Sequence, residues 1–274
     1  MASGRSWTRD ELFIALNLYH KLTFGQLHAR QPAIVTLAEK LGRSSNSVAM
    51  KLCNLASLDP ALRLRGRVGL PGASALDQSV WNEFHADLNE TVAASEAAFR
   101  KLFANDEETE LEVLPRIGVR IRRSAPSGPT ERQVSARQRL GQAYFREAVL
   151  NNFGGRCCIT GLEVRELLIA SHILPWSTHV EERCNVRNGL SLSRLHDAAF
   201  DQCLIAFDEE LRLLVSPRLR EALPKRVIAD NFGSYDGQAL TLPDDAIAPD
   251  VSFLAAHRAR FLGRAEVTNP SSPQ

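Results

Sequence analysis

The stretch "ELLIASHILPWSTHVEERCNVRNGLSLSRLHDAAFD", residues Glu166–Asp201, decides the fold of the C-terminal half of the chain. It contains two short, β-prone apolar runs, "ELLIASHILPW" and "GLSLS", which are separated by a long polar turn. The run "RLHDAAFD" that follows predicts a helix, which then gives way to another strand. Another β-prone run, "RCCITG" at Arg156–Gly161, predicts one more strand before this group. The central order is therefore strand, long turn, strand and helix.

Polar residues lie at defined points of this pattern. His172 is placed on the first strand, and Asn188 directly precedes the second. The helix carries His196, Asp197 and Asp201, and the i to i+4 spacing of the two aspartates puts both carboxylates on one helical face. A histidine in an apolar run is usually a core residue, whereas the other interpretation is a general base at a strand end. Both interpretations are open at this point.

Composition restricts the class of protein. The chain has 274 residues, of which 44% are hydrophobic and 24% charged, values typical of a soluble globular protein with two domains. Neither a secretory leader nor an apolar run of about 18 residues is found, so no membrane partner is expected. The five cysteines are scattered without a C-x-x-C pair, which argues against a disulfide framework and a zinc knuckle and predicts a cytoplasmic protein.

The N-terminal part predicts a bundle of helices. "TRDEL" begins with a capping box at Thr8, and "PAIVTLAEKLG" and "RSSNSVAMKLCNL" predict two helices joined across Gly42. Together they resemble a Myb-like or winged three-helix DNA-binding unit. That resemblance implies DNA contacts from three side chains in or before the second of these helices: Arg43, Lys51 and Asn54. The other interpretation is that Lys51 and Asn54 lie only on the solvated face of a packed helix.

Runs of charged residues and segments rich in Ser, Pro and Gly predict the domain boundaries. We expect a helical domain at residues 1–104, a charged linker at residues 105–128, and a second domain at residues 129–274 that opens with a helix near residue 132. An acidic run is followed there by an arginine-rich run that includes Arg122 and Arg123. Arginine suits phosphate contacts, so these two residues are candidate DNA ligands. The alternative is a solvated basic linker, and the composition favours neither.

Residues Cys157–Asp208 resemble an HNH endonuclease of the ββα-metal superfamily, in its restriction-endonuclease-like branch. Several separated pieces carry the resemblance in order: "ITGL", "SHILPW", "NGLSL" and "FDQCLIAFD". It implies an α+β protein, in which an all-α, helix-turn-helix-like N-terminal domain precedes a C-terminal ββα-metal nuclease domain. It also implies hydrolysis of phosphodiester bonds in double-stranded DNA.

The resemblance assigns roles to individual residues. His172 would be the general base, and Asn188 would tie the long loop and orient it. Asp197 stands where the family places a metal ligand, His196 would pack or contact the phosphate, and Asp201 would be a second ligand or a cap. Oxygen ligands imply Mg²⁺, with Mn²⁺ as the alternative, and no zinc is expected.

Two departures from the family pattern concern the metal site and the turn after the helix. Ser171 stands where many members carry an acid or a histidine, so the metal would be held by fewer protein atoms and more water. Cys203 stands where a glycine is usual. A cysteine nucleophile at Cys157 or Cys158, paired with His172, is conceivable, but both lie in an apolar run and buried thiols are usually inert.

The function expected is that of a restriction enzyme, including one that requires modified bases. Two alternatives remain: a DNA-binding protein that kept the fold but lost metal affinity, and a homing or structure-specific nuclease. Whether the chain acts as a homodimer is left open.

Overall fold

The computed structural model describes residues 5–103, 109–123, 136–223 and 225–268, and these form an α+β protein. The chain divides into two compact units. Unit 1 contains residues 1–152 together with the short segments 180–186 and 245–247. Unit 2 contains residues 153–179, 187–244 and 248–274. No helix within the described residues has the length and apolar character needed to cross a bilayer.

Unit 1 is mainly helical, and its helix ends follow local sequence signals. The capping box of Thr8 and Glu11 starts the first helix, and Gly42 ends the second with a left-handed φ of 62°. The helices are α1 (Arg9–Tyr19), α2 (Pro32–Leu41), α3 (Ser45–Ala56), α4 (Pro60–Leu64), α5 (Ala75–Ala86), α6 (Leu88–Phe103) and α7 (Ala136–Asn152).

The predicted linker contains regular structure, and this corrects the expectation for residues 105–128. Strands β1 (Thr109–Leu114) and β2 (Gly118–Arg123) form an antiparallel hairpin, in which Glu112 is the Cα partner of Arg120. Leu111 and Val113 alternate toward the interior and are buried. Helix α7, which was expected to open the second domain, belongs to unit 1. Residues 104–108 and 124–135 lie outside the described part of the chain.

A buried charge cluster holds together several elements of unit 1. The Lys21 ammonium lies 2.7 Å from a carboxylate oxygen of Glu96 on α6 and 3.1 Å from one of Glu147 on α7. The Val113 N–H of β1 donates to Glu147 over 2.9 Å, and the Asn151 amide donates to the carbonyls of Lys21 and Val113. Burial raises the pKa of Glu147 to about 7.

Unit 2 contains most of the stretch Glu166–Asp201, of which residues 180–186 belong to unit 1. Its elements are β3 (Leu168–His172), β4 (Gly189–Ser193), α8 (Arg194–Asp201), β5 (Ile205–Phe207), β6 (Leu213–Val215), α9 (Pro217–Glu221), α10 (Arg226–Asn231) and α11 (Val251–Thr268). Strand β3 pairs with β4 and β5 pairs with β6, both antiparallel. The strand predicted at Arg156–Gly161 is wrong, because these residues form turns; the Cys158 N–H donates to the Ser191 carbonyl over 2.8 Å.

The raised pKa of Glu147 predicts a pH-dependent stability. The folded state keeps a proton on Glu147 up to about pH 7, whereas the ordinary value is 4.5, so its stabilising effect is lost as the pH rises through 7. Between pH 5 and 8 we expect the free energy of unfolding of the wild type to fall relative to that of Glu147→Gln, by at most about 1.4 kcal/mol per pH unit. Denaturant titrations of both proteins at several pH values measure this free energy of unfolding. Glu83→Gln, at an exposed glutamate, is the control; parallel wild-type and Glu147→Gln curves contradict the prediction.

Candidate active site

The pairing of β3 with β4 places His172 at the end of a strand. His172 is the Cα partner of Gly189, and the preceding Ser171 is the partner of Leu190. The imidazole is partly exposed and meets the Trp176 ring edge-on, with the ring centroids 5.2 Å apart. A partly exposed imidazole at a strand end is open to a substrate, as a buried core histidine is not.

Asn188 closes the loop that separates the two strands. Its side chain is fully buried; Oδ1 accepts a hydrogen bond from the Leu174 N–H over 2.8 Å, and Nδ2 donates to the Leu174 carbonyl over 3.4 Å. The Asn188 backbone carbonyl accepts from the Ile173 N–H over 2.9 Å. These bonds fasten the residues directly after His172 to the start of β4. Orientation of the His172 ring through Asn188 stays a prediction.

Helix α8 follows β4 without a gap and packs against both strands. Its N-cap Ser193 accepts the His196 N–H, which fixes the helix start. Burial raises the pKa of Asp197, the charge of Asp201 raises it further, and Ser171 and Arg194 lower it. Burial likewise raises the pKa of Asp201, which Arg260 lowers. The two carboxylates therefore lie within mutual electrostatic reach on a partly desolvated face.

These residues offer only oxygen atoms to a cation. The Ser171 hydroxyl is buried and has no hydrogen-bond partner of standard geometry, although its interaction with Asp197 lowers the pKa of that carboxyl. A buried hydroxyl oxygen beside Asp197, whose carboxylate is repelled by that of Asp201, fits a hard divalent cation. Among the described residues no group of three or more His, Cys, Asp or Glu side chains is arranged around one point. Water and substrate oxygens would therefore complete the coordination.

The geometry argues against the predicted phosphate contact of His196. The ring is buried, and its Nε2–H donates to the Asn231 carbonyl over 2.7 Å. In that tautomer Nδ1 is an acceptor, and it lies 2.7 Å from the Ser193 hydroxyl. Burial lowers the pKa of His196, which keeps the ring neutral. Both nitrogens are used inside the fold, so His196 braces α8 against the segment around Asn231.

Two of the DNA-binding residues predicted in unit 1 are occupied by other contacts. The Lys51 ammonium lies 2.8 Å from both carboxylate oxygens of the buried Asp77. The Arg43 guanidinium lies over the Trp7 ring and donates to the Glu11 carboxylate, and its side chain is only 6% exposed. Both predictions are corrected, because these cations neutralise partners within the fold.

The other three predicted DNA ligands are not contradicted. Asn54 is half-buried on α3. Arg122 and Arg123 belong to strand β2, but their side chains lie outside the part of the chain that the structure describes.

The sequence analysis did not identify Arg260, a cation near the end of β3. Arg260 on α11 donates to the Ile173 carbonyl over 3.0 Å, yet it lies 88 residues after His172 in the chain (260 − 172), and no local motif marks it.

The structure also explains two cysteines that the sequence analysis singled out. Cys203 has a φ of 52°, so it adopts the left-handed conformation that a glycine would favour at this turn. Burial raises the Cys158 pKa well above its ordinary value, which opposes a thiolate nucleophile there.

A comparison with protein families finds a match in the C-terminal half of the chain. Residues 157–208 match the model of the HNH endonuclease family, and the matched range includes His172, Asn188, Asp197 and Asp201. No curated protein matches the chain. The C-terminal half thus carries an HNH endonuclease domain.

His196→Ala should lower stability rather than chemistry. It removes the donor to the Asn231 carbonyl and the acceptor for the Ser193 hydroxyl, which we expect to cost about 1–3 kcal/mol of unfolding free energy. DNA cleavage at a temperature where the variant is folded should stay within a few-fold of wild type. Unfolding curves and a cleavage time course measure the two effects, and His179→Ala is the control. A fully stable variant without cleavage would show that the ring acts on the substrate.

Proposed function

Because residues 157–208 carry an HNH endonuclease domain, we propose that this protein is a Mg²⁺-dependent DNA endonuclease of a restriction system. The observation that carries the proposal is that β3, which ends at His172, packs against α8, which carries Asp197 and Asp201. Ser171, directly before His172, interacts with Asp197. A base and oxygen ligands on neighbouring elements are what hydrolysis of a phosphodiester requires.

His172 acts as the general base in this proposal. Its partly exposed imidazole takes a proton from the attacking water, whose oxygen forms the new bond to phosphorus as the bond to the leaving oxygen breaks. Asn188 holds the backbone of Ile173 and Leu174, so the strand end cannot drift away from α8. Trp176 covers one edge of the ring and limits its rotation.

Asp197, Asp201 and the Ser171 hydroxyl would hold the divalent ion. When bound, the cation stabilises the negative charge that develops on the phosphate and its leaving oxygen. The oxygen-only donor set favours Mg²⁺, with Mn²⁺ as a substitute. Ser171 is a weaker ligand than an acid, and this favours the second candidate function, a DNA-binding protein with little or no cleavage activity.

The restriction role rests on the separation of the two units. Unit 1 is a mainly helical compact unit, and unit 2 contains most of the matched nuclease residues; an enzyme that recognises and cuts DNA with different domains requires such a division of the chain. Within it, Asn54, Arg122 and Arg123 remain candidate DNA ligands. Recognition of a modified base, and a homodimer that cuts both strands, belong to the same proposal.

Plasmid cleavage tests the proposal directly. Purified protein is incubated with supercoiled plasmid, either unmodified or carrying methylated cytosine, in Mg²⁺, Mn²⁺ or EDTA. We expect nicked or linear product that requires the metal. Binding without cleavage under all metal conditions supports the second candidate function, and a preference for methylated plasmid supports a modification-dependent enzyme.

His172→Ala should abolish cleavage and leave folding and DNA binding nearly unchanged. Loss of proton transfer from a positioned base lowers the rate by about 10²–10⁴-fold. Single-turnover cleavage, DNA binding and thermal unfolding are measured together, with His179→Ala as the control. A variant that cuts at nearly the wild-type rate refutes the role of His172.

Asp197→Ala should raise the Mg²⁺ concentration needed for half-maximal cleavage by about tenfold or more, because it removes one of two carboxylate ligands; losses of this size are typical even for groups that only support ligands. Metal titrations of the cleavage rate check this. Glu210→Ala removes an exposed carboxylate elsewhere in unit 2 and should leave the metal requirement unchanged. If His196→Ala shifts it more than Asp197→Ala does, the choice of ligand is wrong.

A further inference from the structure

Helix α11 donates hydrogen bonds to backbone carbonyls around the site, although it lies outside the matched residues 157–208. The His257 ring stacks on Phe200 at 3.6 Å and donates to the Phe200 carbonyl over 2.9 Å. Two arginines hold neighbouring elements in the same way: Arg258 donates to the Phe207 carbonyl over 3.3 Å and Arg264 to the Gln202 carbonyl over 2.9 Å. The helix is thereby fixed against α8 and β5.

Arg260, unlike Arg258 and Arg264, interacts with the residue after His172 and with Asp201. One terminal nitrogen donates to the Ile173 carbonyl, in the residue directly after His172. Its charge also lowers the pKa of Asp201. The side chain nonetheless stays exposed, so the guanidinium is held beside the strand end and the carboxylate face while part of it faces solvent.

The charges of the site explain what such a cation can do. His172, Asp197 and Asp201 provide two negative charges and no fixed positive charge, whereas the substrate is a phosphate anion. A guanidinium presents several N–H donors in a plane that matches two phosphate oxygens. Arg194, at the start of α8, also interacts with Asp197, but the described structure gives it no bond that fixes it near His172.

We propose that Arg260 is a phosphate-binding residue of this active site. It contacts the phosphate of the strand being cut, while its hydrogen bond to Ile173 holds the guanidinium beside His172. No bond to Arg260 forms or breaks in the reaction; its donors neutralise the charge that builds up on the phosphate oxygens. This inference rests on the proposed nuclease function.

Arg260→Gln tests the inference against a matched control, Arg264→Gln. Arg264 lies one turn later on the same helix and also donates to a backbone carbonyl, that of Gln202. We expect Arg260→Gln to lower the single-turnover cleavage rate at saturating Mg²⁺ by about 10²-fold, as removal of a transition-state donor does, and Arg264→Gln to change it little. The Mg²⁺ concentration for half-maximal rate should not rise, since removing a cation favours metal binding. Arg260→Lys keeps a point charge and should recover part of the rate.

The remaining outcomes also decide the question. Equal rates for Arg260→Gln and Arg264→Gln, or a loss that excess Mg²⁺ restores, overturn the inference. If Arg260→Gln unfolds, Arg260→Lys replaces it, and a wild-type rate in folded Arg260→Lys overturns the inference. A wild type that does not cut refutes the nuclease function instead. The phosphate contact is then judged from DNA binding without divalent cation: Arg260→Gln should lower the salt slope by about one relative to Arg264→Gln, and an unchanged slope overturns it.

Discussion

The buried amide of Asn188 is the constraint on which the candidate site depends. Between His172 and Asn188 the chain leaves unit 2 at His179 and returns to it at Arg187, so a long loop joins the paired ends of β3 and β4 and must be closed at its base. The hydrogen bonds of Asn188 to Leu174 and Ile173 supply that closure in a buried setting. Leaving such a group unsatisfied costs about 1–3 kcal/mol, which makes the closed loop the favoured state. The closed loop joins the end of β3 to the start of β4, whose last residue, Ser193, caps α8.

Three of the four histidines of unit 2, all except His179, divide into two groups by their surroundings. His196 and His257 are buried, each donates to a backbone carbonyl, and burial lowers the pKa of both, that of His257 to about 4. A ring that remains neutral and bonded serves as a brace. His172 instead lies partly exposed at the end of β3, the strand against which α8 packs. Residue type alone does not separate these roles, because all three histidines occur among apolar neighbours.

Local signals in the sequence predicted the elements that frame the site. The run "GLSLS" is β4 at Gly189–Ser193, and α8 begins at Arg194, directly after its Ser193 cap. The hairpin at Thr109–Arg123 was missed because its acidic and basic runs were interpreted separately, whereas the register pairs Glu112 with Arg120. Lys51 and Arg43 were misassigned because their partners, Asp77 and Glu11, lie 26 and 32 residues away. Pairing over such distances has no periodic signature, so only the fold reveals it.

Hydrogen bonds connect helix α11 to the family-matched residues, although α11 lies outside that range. Among the described residues, four backbone carbonyls accept hydrogen bonds from α11 side chains at 257–264, and those four, at Ile173, Phe200, Gln202 and Phe207, lie within the family-matched residues 157–208. The matched segment therefore depends on a helix that begins more than 40 residues after its end (251 − 208 = 43). In the proposed mechanism the matched segment provides a base, His172, and two carboxylates, which together carry only negative fixed charge. The C-terminal helix adds positive charge beside Asp201 and fixes the strand end at Ile173. On the proposed mechanism, the matched segment supplies the reacting groups, and a helix outside it supplies the positive charge that they lack.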